Sequence, residues 1–240
     1  MISSRGPGRG PDRHPTRHPG DELLMEYASG SLAEAPALVI ATHLALCPAC
    51  RRTVSEYEAL GGALLEDLPP TTLSEDCLAS ILSRLDEPTS QDAAPQDATP
   101  HDAAPRGAGC ADRAGAPVLP EPLRSYAGGD VDELAWKPAD PGVEEIDLGV
   151  GTGGTCTRLM RIRAGAVMAR HSHRGVELMM VLKGGITEFH AGASGHFLRG
   201  DVAFAEAGTV HGPVADRGED CVCIVVTDAP IRVVTPFPRF

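Results

Sequence analysis

Residues 165–184 read Gly165-Ala-Val-Met-Ala-Arg-His171-Ser-His173-Arg-Gly-Val-Glu177-Leu-Met-Met-Val-Leu-Lys-Gly184. Two histidines separated by one residue point to the same side of an extended strand, because side chains alternate along it. Glu177 keeps that parity, as do Met179 and Val181, so one inward row carries two imidazoles and a carboxylate and continues as an apolar face. Nitrogen and oxygen donors mixed in this way suit an open, reactive metal centre rather than a closed structural one. A fourth ligand has to come from another strand. His211 in Gly208-Thr-Val-His211, after the turn-forming Gly200-Asp201, is the candidate. Three imidazoles and one carboxylate accept Zn, Mn, Fe or Ni, and the spacing does not choose among them. The plainer alternative is a polar strand edge for the pair and an ordinary loop histidine for His211.

The surrounding sequence extends the β pattern. Segments 155–163, 176–182, 186–190 and 221–227 are short β-type runs divided by Gly and Pro, which predicts an all-β sandwich or barrel from about residue 121 onward. Cys221 and Cys223 flank Val222 and face the same way. Buried cysteines are mostly inert packing residues. The functional alternative is a redox-responsive pair beside the metal, although neighbours at i and i+2 on one strand make an awkward disulfide. Cys156 is expected in the core, Cys110 exposed, and Trp136 at the barrel edge.

The spacing Gly165-x5-His171-x-His173-x3-Glu177-x6-Gly184 matches in full the first motif of the cupin family. The second motif matches in part, through Gly200, Gly208 and His211. Glu206 stands where cupins usually carry Pro, and Ala215 where they usually carry Asn. The resemblance implies a small double-stranded β-helix, the cupin barrel, over 121–240.

Ahead of it, residues 86–120 carry a degenerate Asp-Ala-Ala/Thr-Pro repeat with too little apolar surface to offset chain entropy, and read as a linker. Residues 18–85 read as a small helical module. Asp21 can cap a first helix bearing Leu23, Leu24 and Tyr27, with Gly30 at its end. Ser31 and Glu34 offer a capping box for the second helix, although Pro36 favours a start nearer Ala35. Leu38, Val39, Thr42, His43 and Leu46 share one helical face. Pro48 opens a third helix through Val54, Tyr57 and Leu60, with Gly61 and Gly62 as breakers. Ser74 can cap a fourth, whose Leu78, Ile81, Leu82 and Leu85 form an apolar stripe. That stripe either completes the bundle or docks a partner.

His43 and Cys47, four apart on a helix, project from one face, and Cys50 follows at the start of the next helix. This His-x3-Cys-x2-Cys spacing fits tetrahedral zinc and supplies three ligands; the competing reading is two reduced core cysteines beside an unrelated histidine. His18, just before the first helix, is the candidate fourth ligand, with His14 and Cys77 as alternatives.

The chain has 240 residues, 42% hydrophobic and 22% charged, enough for two small domains. A net charge of −12 disfavours direct nucleic-acid binding. No apolar run is long enough for a membrane span. The first twenty residues lack an apolar core and do not read as a signal peptide; 1–17 are expected to form a disordered basic tail. Seven cysteines, an odd count with two in metal-type spacing, favour a reducing cytoplasm.

A His-x3-Cys-x2-Cys helical module followed by a cupin resembles the ChrR class of zinc-binding anti-sigma factors. The likeness runs over 18–240 and includes Leu-Leu-Met-Glu-Tyr-Ala-Ser-Gly (23–30), Ala-Thr-His43-Leu-Ala-Leu-Cys47, His171-Ser-His173-Arg-Gly-Val-Glu177 and Asp220-Cys221-Val-Cys223. It implies a fold of α and β parts, a helical zinc bundle and a cupin barrel. It further implies an extracytoplasmic-function sigma factor as partner, zinc on His18, His43, Cys47 and Cys50, and a barrel metal on His171, His173, Glu177 and His211. The cupin is implied to take part in the response to oxidants such as singlet oxygen or organic hydroperoxides. Ten acidic and three basic side chains over 18–85 give that module −7, a charge suited to a basic partner. The rival readings are a cupin oxygenase or isomerase with an accessory zinc module, and a DNA-binding regulator with a cupin sensor.

Overall fold

A computed structural model describes residues 14–85, 116–190, 193–229 and 231–234. Among the described residues five α-helices come in chain order: α1 (Asp21–Ala28), α2 (Glu34–Leu46), α3 (Pro48–Glu66), α4 (Cys77–Leu85) and α5 (Glu121–Ala127). The strands follow. β1 (Lys137–Asp140), β2 (Val143–Asp147), β3 (Cys156–Ile162), β5 (Glu177–Lys183), β8 (Val202–Ala205) and β11 (Cys221–Thr227) form one antiparallel sheet, ordered β1-β2-β3-β11-β5-β8. The second sheet is ordered β10-β6-β9-β4-β12, from β4 (His171–His173), β6 (Gly185–His190), β9 (Val210–His211), β10 (Val214–Ala215) and β12 (Ile231–Val233). β7 (Ala193–Leu198) pairs with β6.

The middle of the first sheet is buried on both faces. Met179 and Val181 of β5, with Cys221, Cys223 and Val225 of β11, pack toward Ile186 and Phe197 of the second sheet. The opposite parity, Leu178, Met180 and Leu182 with Val222, Ile224 and Val226, packs under Ala35, Leu38 and Val39 of α2 and Leu119 and Leu123 at α5. Every residue of β11 is therefore buried, and its run Cys-Val-Cys-Ile-Val-Val-Thr is apolar at both parities. Each fully buried aliphatic side chain of this kind contributes about 1.5–3 kcal/mol.

Helix α2 serves two cores, which explains its nearly all-round apolar sequence. Leu38 and Val39 face the sheet, while Ile40 joins Leu24, Cys47, Cys50 and Val54 in a separate cluster with α1 and α3. By contacts, residues 14–60 and 116–234 make one compact unit among the described residues, and a second begins at Gly61.

Two turns depend on glycine. Gly184 has φ +71° and a Cβ there would meet the Asp220 carbonyl oxygen at 2.6 Å. Gly200, at φ +86°, would bring a Cβ to 2.6 Å from Pro15. Both positions follow a strand that must reverse in the left-handed region, where a side chain is strained.

Several local expectations need correction. Helix α1 begins at Asp21 itself, with Gly20 as N-cap, so Asp21 acts on the helix dipole from the first turn instead of capping. The Ser31–Glu34 capping box does not form; α2 starts at Glu34 behind Ala33, which puts Pro36 in the first turn. Gly61 and Gly62 do not break α3, which runs on to Glu66 because Ala63, Leu64 and Leu65 are strong helix formers; each glycine costs about 1 kcal/mol relative to Ala. Helix α4 starts at Cys77, three residues after Ser74. Residues 121–127 are helical rather than β, since Leu123 covers the sheet beside α2. Cys156 is half-buried at a strand start, not core. Trp136 donates from Nε1 to the Val131 carbonyl at 2.9 Å, beside the outer core. Residues 16–17, expected in the disordered tail, are bonded to the barrel, and Leu119, at the end of the expected linker, is fully buried. Residues 1–13, 86–115 and Cys110 lie outside the described residues.

Two candidate metal centres

The front cluster gathers His18, His43, Cys47 and Cys50, with one donor atom from each within 4.8 Å of the others. His43 leaves α2 one turn before Cys47, and Cys50 sits in the first turn of α3. The segment before α1 brings in His18. Its Nδ1 lies 3.4 Å from both Cys47 Sγ and Cys50 Sγ, and His43 Nε2 lies 3.3 Å from Cys50 Sγ. Sulfur at about 2.3 Å and nitrogen at about 2.05 Å from a tetrahedral zinc stand roughly 3.5 Å apart, so these residues fit that ion. The ring of His43 is oriented from behind, since its Nδ1–H donates to the Gly200 carbonyl at 2.8 Å and leaves Nε2 bare toward the thiols. Burial lowers the His43 pKa, which keeps the ring neutral. Burial, reinforced by Cys47, pushes the Cys50 thiol up to about 12. Of the two alternatives to His18, neither His14 nor Cys77 joins the cluster.

The rear cluster gathers His171, His173, Glu177 and His211, again within 4.8 Å, and all four are buried. His171 and His211 are directly paired across β4 and β9, while Glu177 opens β5 of the other sheet, so the cluster bridges the two sheets. His173 Nε2 lies 2.9 Å from His211 Nε2 and 3.1 Å from Glu177 Oε2. Donors about 2.1 Å from a shared ion are roughly 3.0–3.4 Å apart, so this set also fits a metal. His171 donates from Nδ1 to the Ala169 carbonyl at 2.8 Å, which turns Nε2 inward.

Electrostatics at the rear cluster reflect burial first. Burial lowers His173 to about 4, with His171 and His211 adding to the effect. It also lowers His171 and raises Glu177 to about 7. At His211 burial works against the charged form, but the Glu188 and Glu177 carboxylates outweigh it and the pKa is raised. A cavity of about 500 Å³ opens on the cluster, lined by Met160, Met168, Met179, Cys223 and Ile186 together with His171 and Glu177.

Two carboxylates were missed by reading motifs alone. Glu188, 2% exposed, places Oε2 at 3.6 Å from His211 Nδ1 and so stands behind a rear donor. Its parity with Ile186 on β6 was the available signal. Asp201, 1% exposed, accepts from the backbone N–H groups of Thr16 and Arg17 at 2.6 and 3.0 Å. No sequence signal pairs residues so far apart. Cys221 and Cys223 do face the same way, both buried in the inner core. No helix among the described residues is long and apolar enough to cross a membrane.

The family described as the ChrR cupin-like domain matches residues 125–230, and a zinc-finger family matches residues 21–51. The chain is 36% identical to the anti-sigma-E factor ChrR of Cereibacter sphaeroides over 219 residues, 91% of this chain and 92% of the relative. It belongs to the ChrR anti-sigma family. Among solved structures, the complex of Rhodobacter sphaeroides SigE with the anti-sigma ChrR matches with a TM-score of 0.69 at 35% identity. That likeness covers 89% of this chain and 99% of the matched chain. Within the ChrR family frame, the zinc-finger match spans His43, Cys47 and Cys50 of the front cluster, and the cupin-like match spans all four residues of the rear one.

Proposed function

We propose that this protein is a cytoplasmic anti-sigma factor. It sequesters an extracytoplasmic-function sigma factor through its helical module, residues 18–85, and releases it when an oxidative signal reaches the cupin module, residues 121–240. The observation that carries this reading is the likeness, over about nine-tenths of the chain, to an anti-sigma factor captured with its sigma factor. A physical feature supports it. From residue 55 to residue 85 no side chain is buried, yet Leu60, Leu64, Leu65, Leu68, Leu73, Leu78, Ile81, Leu82 and Leu85 are all more than half exposed. Large apolar side chains left exposed at this density along two helices and the stretch between them point to an interaction surface. The stripe on α4 thus fits the docking alternative better than completion of a bundle.

Zinc on His18, His43, Cys47 and Cys50 would tie α1, α2 and α3 at one point, and its binding free energy would add to that of folding. A divalent metal on His171, His173, Glu177 and His211 would supply a Lewis-acidic centre at the floor of the cavity.

Ile81→Asp combined with Leu82→Asp tests the docking face. Interface anchors of this type are each worth about 2 kcal/mol or more, so the double variant is expected to bind the sigma factor at least 30-fold more weakly. Its zinc content should be unchanged, because both residues lie far in sequence from the ligands. Undiminished binding in a titration with the purified sigma factor would remove α4 from the interface.

Proton linkage separates the two metal sites. The Cys50 thiol is held up to about 12, so zinc must displace its proton throughout the neutral range. Front-site affinity should therefore rise at least tenfold per pH unit from 6 to 9. In the metal-free barrel Glu177 is raised to about 7 from its ordinary 4.5, so between 5 and 7 it holds a proton that the unfolded chain has lost. Metal entry displaces that proton and, because His211 is also raised, an imidazolium proton, so rear-site affinity should climb by more than tenfold per unit below about pH 7 and flatten above it. Calorimetric metal titrations at several pH values give both slopes.

The cavity opening on a metal-type cluster is what favours the rival reading, a cupin oxygenase or isomerase with an accessory zinc module. Turnover of a small molecule by the full chain, abolished by His171→Ala, would support that rival.

A further inference from the structure

The four front-cluster residues have two different kinds of support. Cys47 and Cys50 are set by the helices, one at the C-cap of α2 and the other in the first turn of α3, where the Cys50 N–H points at Cys47 Sγ. The two imidazoles are set by the barrel. His43 is oriented by the Gly200 carbonyl. His18 ends a segment fastened to the β7–β8 turn, with Pro15 packed against Gly200 and the N–H groups of Thr16 and Arg17 on Asp201 Oδ1. Val202 N–H donates back to the Arg17 carbonyl at 3.0 Å, and the Arg17 guanidinium lies 4.6 Å above the Phe197 ring. The other Asp201 oxygen accepts from Leu198 N–H at 2.9 Å, so one buried carboxylate clamps both its own turn and the incoming segment.

We infer that Asp201 is a positioning residue for the front metal site, and that the site belongs jointly to the helices and the barrel. Asp201 touches none of the four donors. It fixes the backbone immediately before His18 and thereby the reach of that imidazole to the two thiols. Groups that orient a ligand from behind typically change metal affinity by about 10- to 100-fold when removed. The coupling is reciprocal: metal at the front steadies the turn, and displacement of the turn loosens the metal by the same factor. The turn is in turn bonded to β5, since Gly200 N–H donates to the Val181 carbonyl at 2.7 Å and Val181 N–H to the Asp201 carbonyl at 3.1 Å. β5 begins at Glu177, so the strand that carries a rear-cluster carboxylate also holds the turn that positions both front imidazoles.

This inference rests on the zinc reading above, and its test separates the two. Zinc affinity is measured on the full chain by competition with a chromophoric chelator, for the wild type, Asp201→Ala, Thr16→Pro and each of these combined with His18→Ala. Asp201→Ala is expected to weaken zinc 10- to 100-fold. Thr16→Pro, which removes the Thr16 N–H and hydroxyl donors and leaves the barrel carboxylate and the Arg17 N–H in place, should weaken it in the same direction by less. In the His18→Ala background the Thr16→Pro effect should shrink to within twofold, because that segment acts through His18, and the Asp201→Ala effect should shrink to what the turn still exerts on His43 through the Gly200 carbonyl. Hydrogen exchange of the zinc-free proteins should show faster exchange at Arg17 in Asp201→Ala with the β5 amides unchanged. Equal affinity of wild type and both variants, or an undiminished loss in the His18→Ala background, overturns the inference while leaving the zinc reading intact. Should Asp201→Ala not fold, Thr16→Pro decides alone. A wild-type chain that takes no zinc through Cys47 and Cys50 overturns the metal reading and this inference with it.

Discussion

Cys47→Ser is expected to purify with one zinc fewer per chain and to let go of the sigma factor. Cys47 Sγ lies 3.4 Å from His18 Nδ1, accepts from the Cys50 N–H at 3.4 Å, and is 1% exposed at the end of α2. A serine hydroxyl offers no anionic sulfur to a metal and leaves Cys50 and the two imidazoles short of a tetrahedron. Structural zinc binds small domains with about 10–16 kcal/mol, all of it realised in folding, so loss of one thiolate removes a large part of what orders α1 against α3. The cluster of Leu24, Ile40, Cys47, Cys50 and Val54 is small and offers little to replace it. The expected readings are a fall of one zinc equivalent by elemental analysis and at least a hundredfold loss in sigma-factor affinity. Transcription from the sigma-dependent promoter should be constitutive. A Cys47→Ser chain that still holds the partner at wild-type affinity would remove zinc from the clamp.

The second large effect belongs to the barrel. Glu177→Ala and His211→Ala should each abolish stoichiometric metal binding at the rear cluster while leaving front-site zinc in place. They should also leave the sigma factor bound when the signal is applied. Glu177 is the sole carboxylate of the set and the only one of the four residues on the first sheet, so its removal breaks the bridge between sheets at that point. His211 is fully buried, with Nε2 toward His173 and Nδ1 toward Glu188, so alanine there also opens a void. Each variant is accordingly expected to lower barrel stability by about 2 kcal/mol or more in addition to the loss of metal. Glu177→Gln separates the effects, since it keeps the volume and removes the charge. Release of the sigma factor at wild-type rates by a metal-free Glu177→Gln chain would show that the signal enters elsewhere.

Local periodicity made both clusters legible, and tertiary packing hid much of the rest. His171, His173 and Glu177 are readable because a strand repeats every two residues, and His43 and Cys47 because a helix returns after four. The runs 176–182 and 221–227 were recognisable as strands, but their apolar residues at both parities do not say what covers the outer face. That cover is α2 and α5, and α5 itself was read as part of the β region because a seven-residue helix leaves almost no periodic trace. Gly61 and Gly62 argue for a stop, yet the helix formers after them carry α3 onward. Asp201 was visible only as a turn residue. Its contacts lie 184 and 185 positions away, beyond any spacing rule.

The compact unit that joins residues 14–60 to 116–234 is interrupted in sequence by everything between them. Leu38 and Val39 on one side of that interruption share a core with Leu119, Ile224 and Val226 on the other. A cut anywhere in the intervening stretch therefore severs the polypeptide without severing the core. The two pieces would stay together as a noncovalent pair, and proteolytic trimming of residues 61–85 would leave a protein that still carries both candidate metal centres.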